Sequence, residues 1–394
     1  MTSATEAPRR GLTGRDRRVS WSAAVLVVIG FLLSACAIRP TNDVLNPTAA
    51  NTAAPQARSI EVLVATTRRP SPPPANGFTP DRLPGLAYVS YSVSLPPSHR
   101  IGEIEYPDAS RNPATSFVVT RAQTLDQAGF RAAITARRQR DVLVFVHGYN
   151  TNYPESVFRF AQLISDASAP GRSPDHVDVL FAWPSRGELT GYLADRESAN
   201  FSRNYLEAAL NEIAATPGVR NIDLVAHSMG NWLTVETLRQ ARLRAKAPFL
   251  AKLRGVMLVA PDIDVDVFAT QLDTIGRLRE PITVVVNKHD LALATSQYLA
   301  GEISRVGNTL IDDREARAAI RKYDLRVVDL SEVEDDDPLK HSTFIKALPA
   351  LGQVIQSHAL SGSPQASGLR VLAADAAGQM LTAPLRAGRA LIGR

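Results

Sequence analysis

Apolar positions in this chain fall into short unbroken runs separated by longer stretches where they recur at helical spacing. Residues 142–146 and 282–286 are continuous and largely β-branched, the pattern of strands buried on both faces of a parallel sheet. Residues 177–183 (VDVLFAW) and 256–260 are runs of the same kind. Nearer the start, residues 60–67 predict a strand that the following RRPSPPP cannot continue, and residues 88–95 alternate with period two. Residues 116–120 and 325–330 complete the predicted strands. Helical periodicity predicts helices over 125–138, from 154 to 167, around 205–215 and 268–272, and over 344–355. Strands alternating with helices in this way imply an α/β fold with a mostly parallel sheet covered on both faces.

One stretch, NIDLVAHSMGNWLTVETL at 221–238, joins a strand to a helix at Ser228. Ile222, Leu224 and Val225 end the strand, while Trp232, Leu233, Val235 and Leu238 repeat at helical spacing. This is the layout of a nucleophile elbow, usually written G-x-S-x-G, in which a sharp turn lifts the serine hydroxyl above the sheet edge. Strand and helix pass so close to the serine that the positions two before and two after must be small. Here they are Ala226 and Gly230.

A serine hydroxyl needs a base, and the base needs an acid to orient it. The chain order for this fold is Ser, Asp or Glu, then His. Downstream of the acid candidates lie His341, in a loop after the strand 325–330, and His358, at the far end of the following predicted helix. His341 is the expected base because loops at strand ends carry such groups. Asp290, in NKHDLAL just past the strand 282–286, is the expected acid, with Asp262 one strand earlier as the alternative. Asp264 and Asp266 read as solvated or capping groups, and His289 as structural. The turn His147-Gly148-Tyr149-Asn150 follows the central strand, so the backbone N–H groups of Tyr149 and Met229 are the expected oxyanion donors. His147 would orient that loop and not act as a base.

Charge narrows the partners. Of the net +5, the first 35 residues carry +3, through five arginines against Glu6 and Asp16, leaving +2 on the remainder. A nearly balanced remainder gives no footprint for nucleic acid. No metal motif, calcium loop or phosphate-binding glycine loop is present, the acidic cluster 332–337 reads as solvated, and no cofactor is expected. The arginine-rich start, the apolar run 23–33 and the small residues after it have the form of a secretory signal. They end in Leu33-Ser34-Ala35-Cys36, which resembles a bacterial lipobox with Cys36 as the acylated residue. Cys36 is the single cysteine, so no internal disulfide can form. The expected organisation is a lipoprotein signal peptide over 1–35, a flexible tether over 36–58, one catalytic domain over 59–358 and a low-complexity, basic, disordered tail over 359–394. The polar and aromatic insert 185–204 lies where a substrate-covering element would lie, and reads equally as a plain surface loop.

Taken together, these blocks resemble the bacterial α/β-hydrolase family catalogued as domain of unknown function 900, among the esterase- and lipase-like enzymes. The resemblance runs from about residue 60 to 357 and is carried by VLVATTR, FVHGYN, FAWPSRG with Tyr192 and Asp195 following, VAHSMGN, APDID, NKHDLAL and KHS. It implies the α/β-hydrolase fold, with a mostly parallel central sheet and helices on both faces, and a triad of Ser228, Asp290 and His341. The expected activity is hydrolysis of a carboxylic ester, small or lipidic, through an acyl-enzyme. Acyl transfer by the same triad, or a silent hydrolase-fold envelope lipoprotein that only binds, are the alternatives. Membrane contact through the N-terminal lipid anchor is expected, with the domain on the outer membrane facing the periplasm.

Overall fold

The computed structural model describes residues 39–47, 54–73, 76–137, 139–168, 176–244, 247–299, 304–309, 314–348, 351, 369–374 and 380–385. The chain divides into Met1–Pro40 and Thr41–Arg394, and every element named below belongs to the second unit. The expected signal peptide, Cys36 and His358 lie outside the described residues.

Among the described residues, eleven strands form one sheet. They are β1 (Arg58–Pro70), β2 (Phe78–Leu95), β3 (Val118–Leu125), β4 (Asp141–Val146), β5 (His176–Ala182), β6 (Asn221–His227), β7 (Leu253–Val259), β8 (Ile282–Val286), β9 (Leu325–Asp329), β10 (Leu369–Ala374) and β11 (Met380–Leu385). Their order is β11-β10-β9-β8-β7-β6-β4-β5-β1-β2-β3. From β9 across to β1 every pairing is parallel, while β2, β3, β10 and β11 add antiparallel borders. The helices are α1 (Gln127–Thr135), α2 (Tyr153–Ala167), α3 (Tyr192–Ala215), α4 (Met229–Arg244), α5 (Phe249–Lys252), α6 (Val265–Ile275), α7 (Leu291–Leu299), α8 (Arg314–Tyr323) and α9 (Thr343–Lys346).

The unbroken apolar runs follow from burial on both faces. Val142, Val144 and Val146 of β4 pack into one core with α1, α3, α4 and α6, whereas Phe145 joins a second core with α2. Successive side chains point to opposite faces, so a strand covered twice has no polar position to spare. β4 sits between β5 and β6, so the chain leaves it first in one direction and later in the other. Such a reversal opens a crevice beyond the carboxyl ends of the strands, the usual ligand site of an open α/β sheet.

Three expectations change. The helix expected near 205–215 starts at Tyr192, so most of the insert read as a covering element or a surface loop is the first half of α3. Its buried residues there are Asp195, Ser198, Ala199 and Ser202, small or polar groups that leave no apolar periodicity to read. The tail is not disordered throughout: β10 and β11 form a hairpin that pairs with β9 and buries Val371 and Leu372. Without it the valine-rich β9 would present an unpaired edge, and Pro384 is tolerated because β11 is the outermost strand. The tether is also shorter than expected. A 3₁₀ turn at Asn42–Leu45 buries Val44 and Leu45, and the Asn42 amide donates to Ser71 Oγ at 2.8 Å and to the Phe78 carbonyl at 3.0 Å.

Candidate active site

Ser228 occupies the junction of β6 and α4 with φ of 53°, a left-handed backbone conformation that is strained for a residue with a side chain. The turn is pinned from neighbouring strands. Ser228 N–H donates to the Val259 carbonyl at 3.0 Å, and the buried Asn231 amide donates to the carbonyls of Ser228 at 3.0 Å and Val259 at 2.7 Å. A Cβ added to Gly230 would press on the His147 carbonyl oxygen and lie 2.6 Å from that of Val146. Only glycine fits there, whereas Ala226, fully buried in the strand, has room for its methyl group.

The loop after β4 lies against this turn. A Cβ on Gly148 would come within 2.9 Å of both Ser228 Cβ and His227 Nδ1. Asn150 takes φ of 55°, which asparagine tolerates better than most residues, and its N–H donates to Asp195 Oδ2 at 3.3 Å. Asp195, fully buried, also accepts from Ser185 Oγ at 2.5 Å and Arg186 N–H at 2.7 Å. Burial raises its pKa, opposed by these donors and by the charge of Arg68. The buried Arg68 donates to the Thr151 carbonyl at 3.0 Å. Tyr149 closes the far side: its hydroxyl donates to the carbonyls of Glu188 and Leu189, and its ring meets Tyr192 edge-on at 5.4 Å. Met229 opens α4, and the first N–H groups of a helix have no partner within it.

His147 belongs to the scaffold. Its ring stacks on Trp183 at 5.0 Å and meets the carbonyls of Gly148 and Trp183 at 2.9 and 3.1 Å. Burial, with the nearby Arg68 charge, pushes its pKa down to about 3. A group held neutral this strongly is a poor proton acceptor near neutral pH.

Asp290 and His341 come together from loops 51 residues apart in sequence, with Asp290 Oδ2 2.7 Å from His341 Nδ1. The other Asp290 oxygen accepts the Leu293 N–H at 2.9 Å, so one carboxylate caps α7 and orients the imidazole. This contact puts a proton on Nδ1 and leaves Nε2 as the basic nitrogen. Burial lowers the His341 pKa, but the charge and hydrogen bond of Asp290 outweigh it, and the net shift is upward from 6.5. His227, next to the serine, packs its ring 4.7 Å from that of His341 and 4.8 Å from Phe344. Burial first, and the neighbouring His341 second, push its pKa well below the ordinary value. Among the described residues, the Ser228 hydroxyl has no hydrogen-bond partner.

The alternative acid is engaged elsewhere. Asp262 forms an ion pair with the buried Arg305 at 3.3 Å and accepts from Ser296 Oγ at 2.6 Å and the Tyr192 hydroxyl at 2.9 Å. Its charge still contributes to raising the His341 pKa.

Several residues here carry no sequence signal. Asn287 donates its amide to the Lys340 carbonyl at 3.1 Å and to Thr343 Oγ1 at 3.2 Å, tying the acid loop to the histidine loop. Asp337 belongs to the acidic stretch expected to be solvated, yet it accepts the N–H groups of Leu339 at 3.0 Å and Ser342 at 2.8 Å. Asn231 is the third. A lone Asn or Asp looks like a turn former or a cap, and nothing short of the fold shows which backbone groups it binds.

Sheet order and the strained serine turn at the carboxyl end of β6 define an α/β-hydrolase-fold protein. Residues 122–358 match the family described as alpha/beta hydrolase of unknown function (DUF900), and the chain belongs to that family. Among solved structures it is similar to a Pyrobaculum calidifontis esterase at 13% identity, covering 77% of this chain and 87% of that one with a TM-score of 0.34. A second structure, described as a hyperthermophilic esterase from the same archaeon, gives 12% identity over 78% and 85%, with a TM-score of 0.32. A lipase-esterase related protein from Clostridium acetobutylicum gives 15% identity over 56% and 91%, with a TM-score of 0.21. These likenesses are too distant to bear on activity. No curated protein matches the chain.

Proposed function

We propose that this protein is a serine hydrolase that cleaves a carboxylic ester through Ser228, His341 and Asp290. The observation that carries the reading is the 2.7 Å contact between Asp290 and His341 at the sheet end that also bears the strained Ser228 turn. Ser228 attacks the carbonyl carbon, and His341 Nε2 takes the hydroxyl proton and returns it to the leaving alcohol. Asp290 holds the ring and stabilises the imidazolium. The N–H groups of Tyr149 and Met229 receive the developing oxyanion, where one donor is typically worth about 3 kcal/mol of barrier. Water then attacks the acyl-enzyme by the same route. The serine-to-histidine hydrogen bond closes when an ester binds, since such contacts often tighten only in the complex. Leu189, Leu193 and Leu291 are exposed on segments at the carboxyl side of the sheet, an apolar border suited to an acyl chain.

The test is labelling of the full chain by a fluorophosphonate probe, beside Ser228→Ala and His341→Ala. Labelling that both substitutions abolish is expected. A folded wild type that takes no label overturns the proposal.

In the same reading the protein is held at the outer membrane, facing the periplasm, by acylation of Cys36. The support is the sequence alone: five arginines, the apolar run 23–33 and the Leu-Ser-Ala-Cys that ends it. Cys36→Ser should release the protein from the membrane fraction and end palmitate incorporation; retention of both would refute the anchor.

A further inference from the structure

A cavity whose lining includes none of Ser228, Asp290 or His341 lies beside the start of α3. It has a volume of about 500 Å³ and is lined by Arg69, Pro80, Asp81, Arg82, Arg186, Ala194 and Ser198. β1 and β2 are longer than the strands beside them. β1 pairs with β5 as far as Thr66 and then continues with β2 to the pairing of Pro70 with Phe78. The resulting two-stranded arm extends past the carboxyl edge of the sheet and contributes Arg69 and Arg82. Arg186 comes from the loop after β5, and Ala194 and Ser198 from the first two turns of α3.

The charges in this cavity are unbalanced, with three guanidinium groups against one carboxylate. Arg82 is fixed in place. Its Nε donates to Ser198 Oγ at 3.1 Å, its Nη2 donates to the Ala194 carbonyl at 3.4 Å, and the guanidinium lies 5.7 Å from the Phe201 ring centre. Ser198 is itself only 4% exposed, so the arginine is anchored to a buried hydroxyl and not to a carboxylate. The Asp81 carboxylate accepts from Thr79 Oγ1 at 3.2 Å. Among the described residues, the side chains of Arg69 and Arg186 have neither an ion pair nor a hydrogen bond. Like charges gathered in one concavity repel, and a bound anion relieves that repulsion while lowering the energy of each guanidinium. Arginine forks match the oxygen geometry of phosphate and carboxylate, and several forks around one point favour the group with more oxygens and more charge. The volume is in the range of small-molecule sites, roughly 300–1,000 Å³, leaving space for an organic group beyond the phosphate.

We infer that the cavity of Arg69, Arg82 and Arg186 binds the phosphate of a phosphorylated small molecule or lipid headgroup, at a site separate from Ser228. Arg186 reaches both places. Its backbone N–H holds Asp195 Oδ1, and the other Asp195 oxygen accepts from Asn150 in the loop beside the serine.

The experiment is direct binding to the full chain at low ionic strength, with no turnover required. Calorimetric titration with inorganic phosphate and with glycerol 3-phosphate measures the soluble ligand. Co-sedimentation with phosphatidylcholine vesicles, with and without phosphatidylglycerol, measures the headgroup. Saturable binding in either arm is expected, weakened at least tenfold by Arg69→Gln with Arg186→Gln. It should be unchanged by Ser228→Ala and by Arg220→Gln, which alters an exposed arginine just before the amino end of β6. Saturation by soluble phosphates alone assigns a phosphorylated small molecule, and preference for phosphatidylglycerol vesicles that the double variant loses assigns a lipid. The inference is overturned if wild type binds in neither arm, or if Arg220→Gln weakens binding as much as the double variant, which would mark adventitious ion binding only. Because Ser228 takes no part, failure here leaves the hydrolase proposal standing, and failure of fluorophosphonate labelling leaves this site standing.

Discussion

The two sides of the candidate active site are built by different physics. Ser228 is held by close backbone packing: a left-handed turn between a buried strand and a buried helix, with the His147–Gly148 loop against it and no room for a Cβ on Gly230. Asp290 and His341 are held by side-chain hydrogen bonds: the Asp290–His341 contact and the Asn287 amide join the two loops, and the Asp337 carboxylate braces the histidine loop from within. Close packing tolerates almost no change in volume. A hydrogen-bonded loop tolerates changes in size but not the loss of a partner.

Substitutions can set these two modes against each other, with kcat on a short acyl ester as the common measure. The largest effect is expected from Ser228→Ala, a fall of roughly 10⁶-fold with Tm unchanged. Asp290→Asn should lower kcat about 10⁴-fold by leaving the imidazole in the wrong tautomer. It should also move the acid limb of the pH profile downward, because the Asp290 charge and hydrogen bond are what raise the His341 pKa against burial. In wild type that limb is expected above pH 6.5, since the base must be neutral to accept a proton. Stability has the opposite sign: the contribution of protonated His341 is full below about 6.5 and is lost as pH rises through the higher folded-state value. A limb below 6.5 in the wild type would break the link between the contact and the base.

Gly230→Ala tests the packing side. The new methyl must displace the carbonyls of His147 and Val146, and a shift of about 1 Å at the serine costs about 10²-fold in kcat. Asn287→Ala tests the hydrogen-bonding side. It removes two bonds between the loops, and a loss of about 1–3 kcal/mol in stability is expected, read by denaturant unfolding. Turnover should fall about tenfold, the equivalent of about 1.4 kcal/mol in barrier. If Asn287→Ala is more damaging to kcat than Gly230→Ala, the contrast between the two sides is reversed. The smallest effect is expected from Ala226→Gly, which restores the glycine of the common motif: about 0.5–1 kcal/mol of stability lost from a strand interior, and activity retained.

Legibility in the sequence follows the same division. Strands β4, β7 and β8 stood out because burial on both faces leaves continuous apolar runs, and the serine turn because small residues flank it at fixed spacing. The first half of α3 was hidden since its buried face is Asp, Ser and Ala, held by polar contacts as well as packing. The strands of the tail were hidden by surrounding glycines and Pro384, which signal breaks unless an edge accommodates them.

The sequence by itself determined the α/β class, the serine at its turn and a short roster of acids and histidines. These depend on residues within a few positions of one another, where periodicity and steric fit act directly. Tertiary structure alone decided that Asp290 faces His341 while Asp262 is occupied by Arg305, Ser296 and Tyr192. It alone brought Arg69, Arg82 and Arg186 into one cavity. The reason is the range of the forces: which loop a carboxylate reaches, and which arginines share a wall, is fixed by strand order and helix packing between residues far apart in the chain.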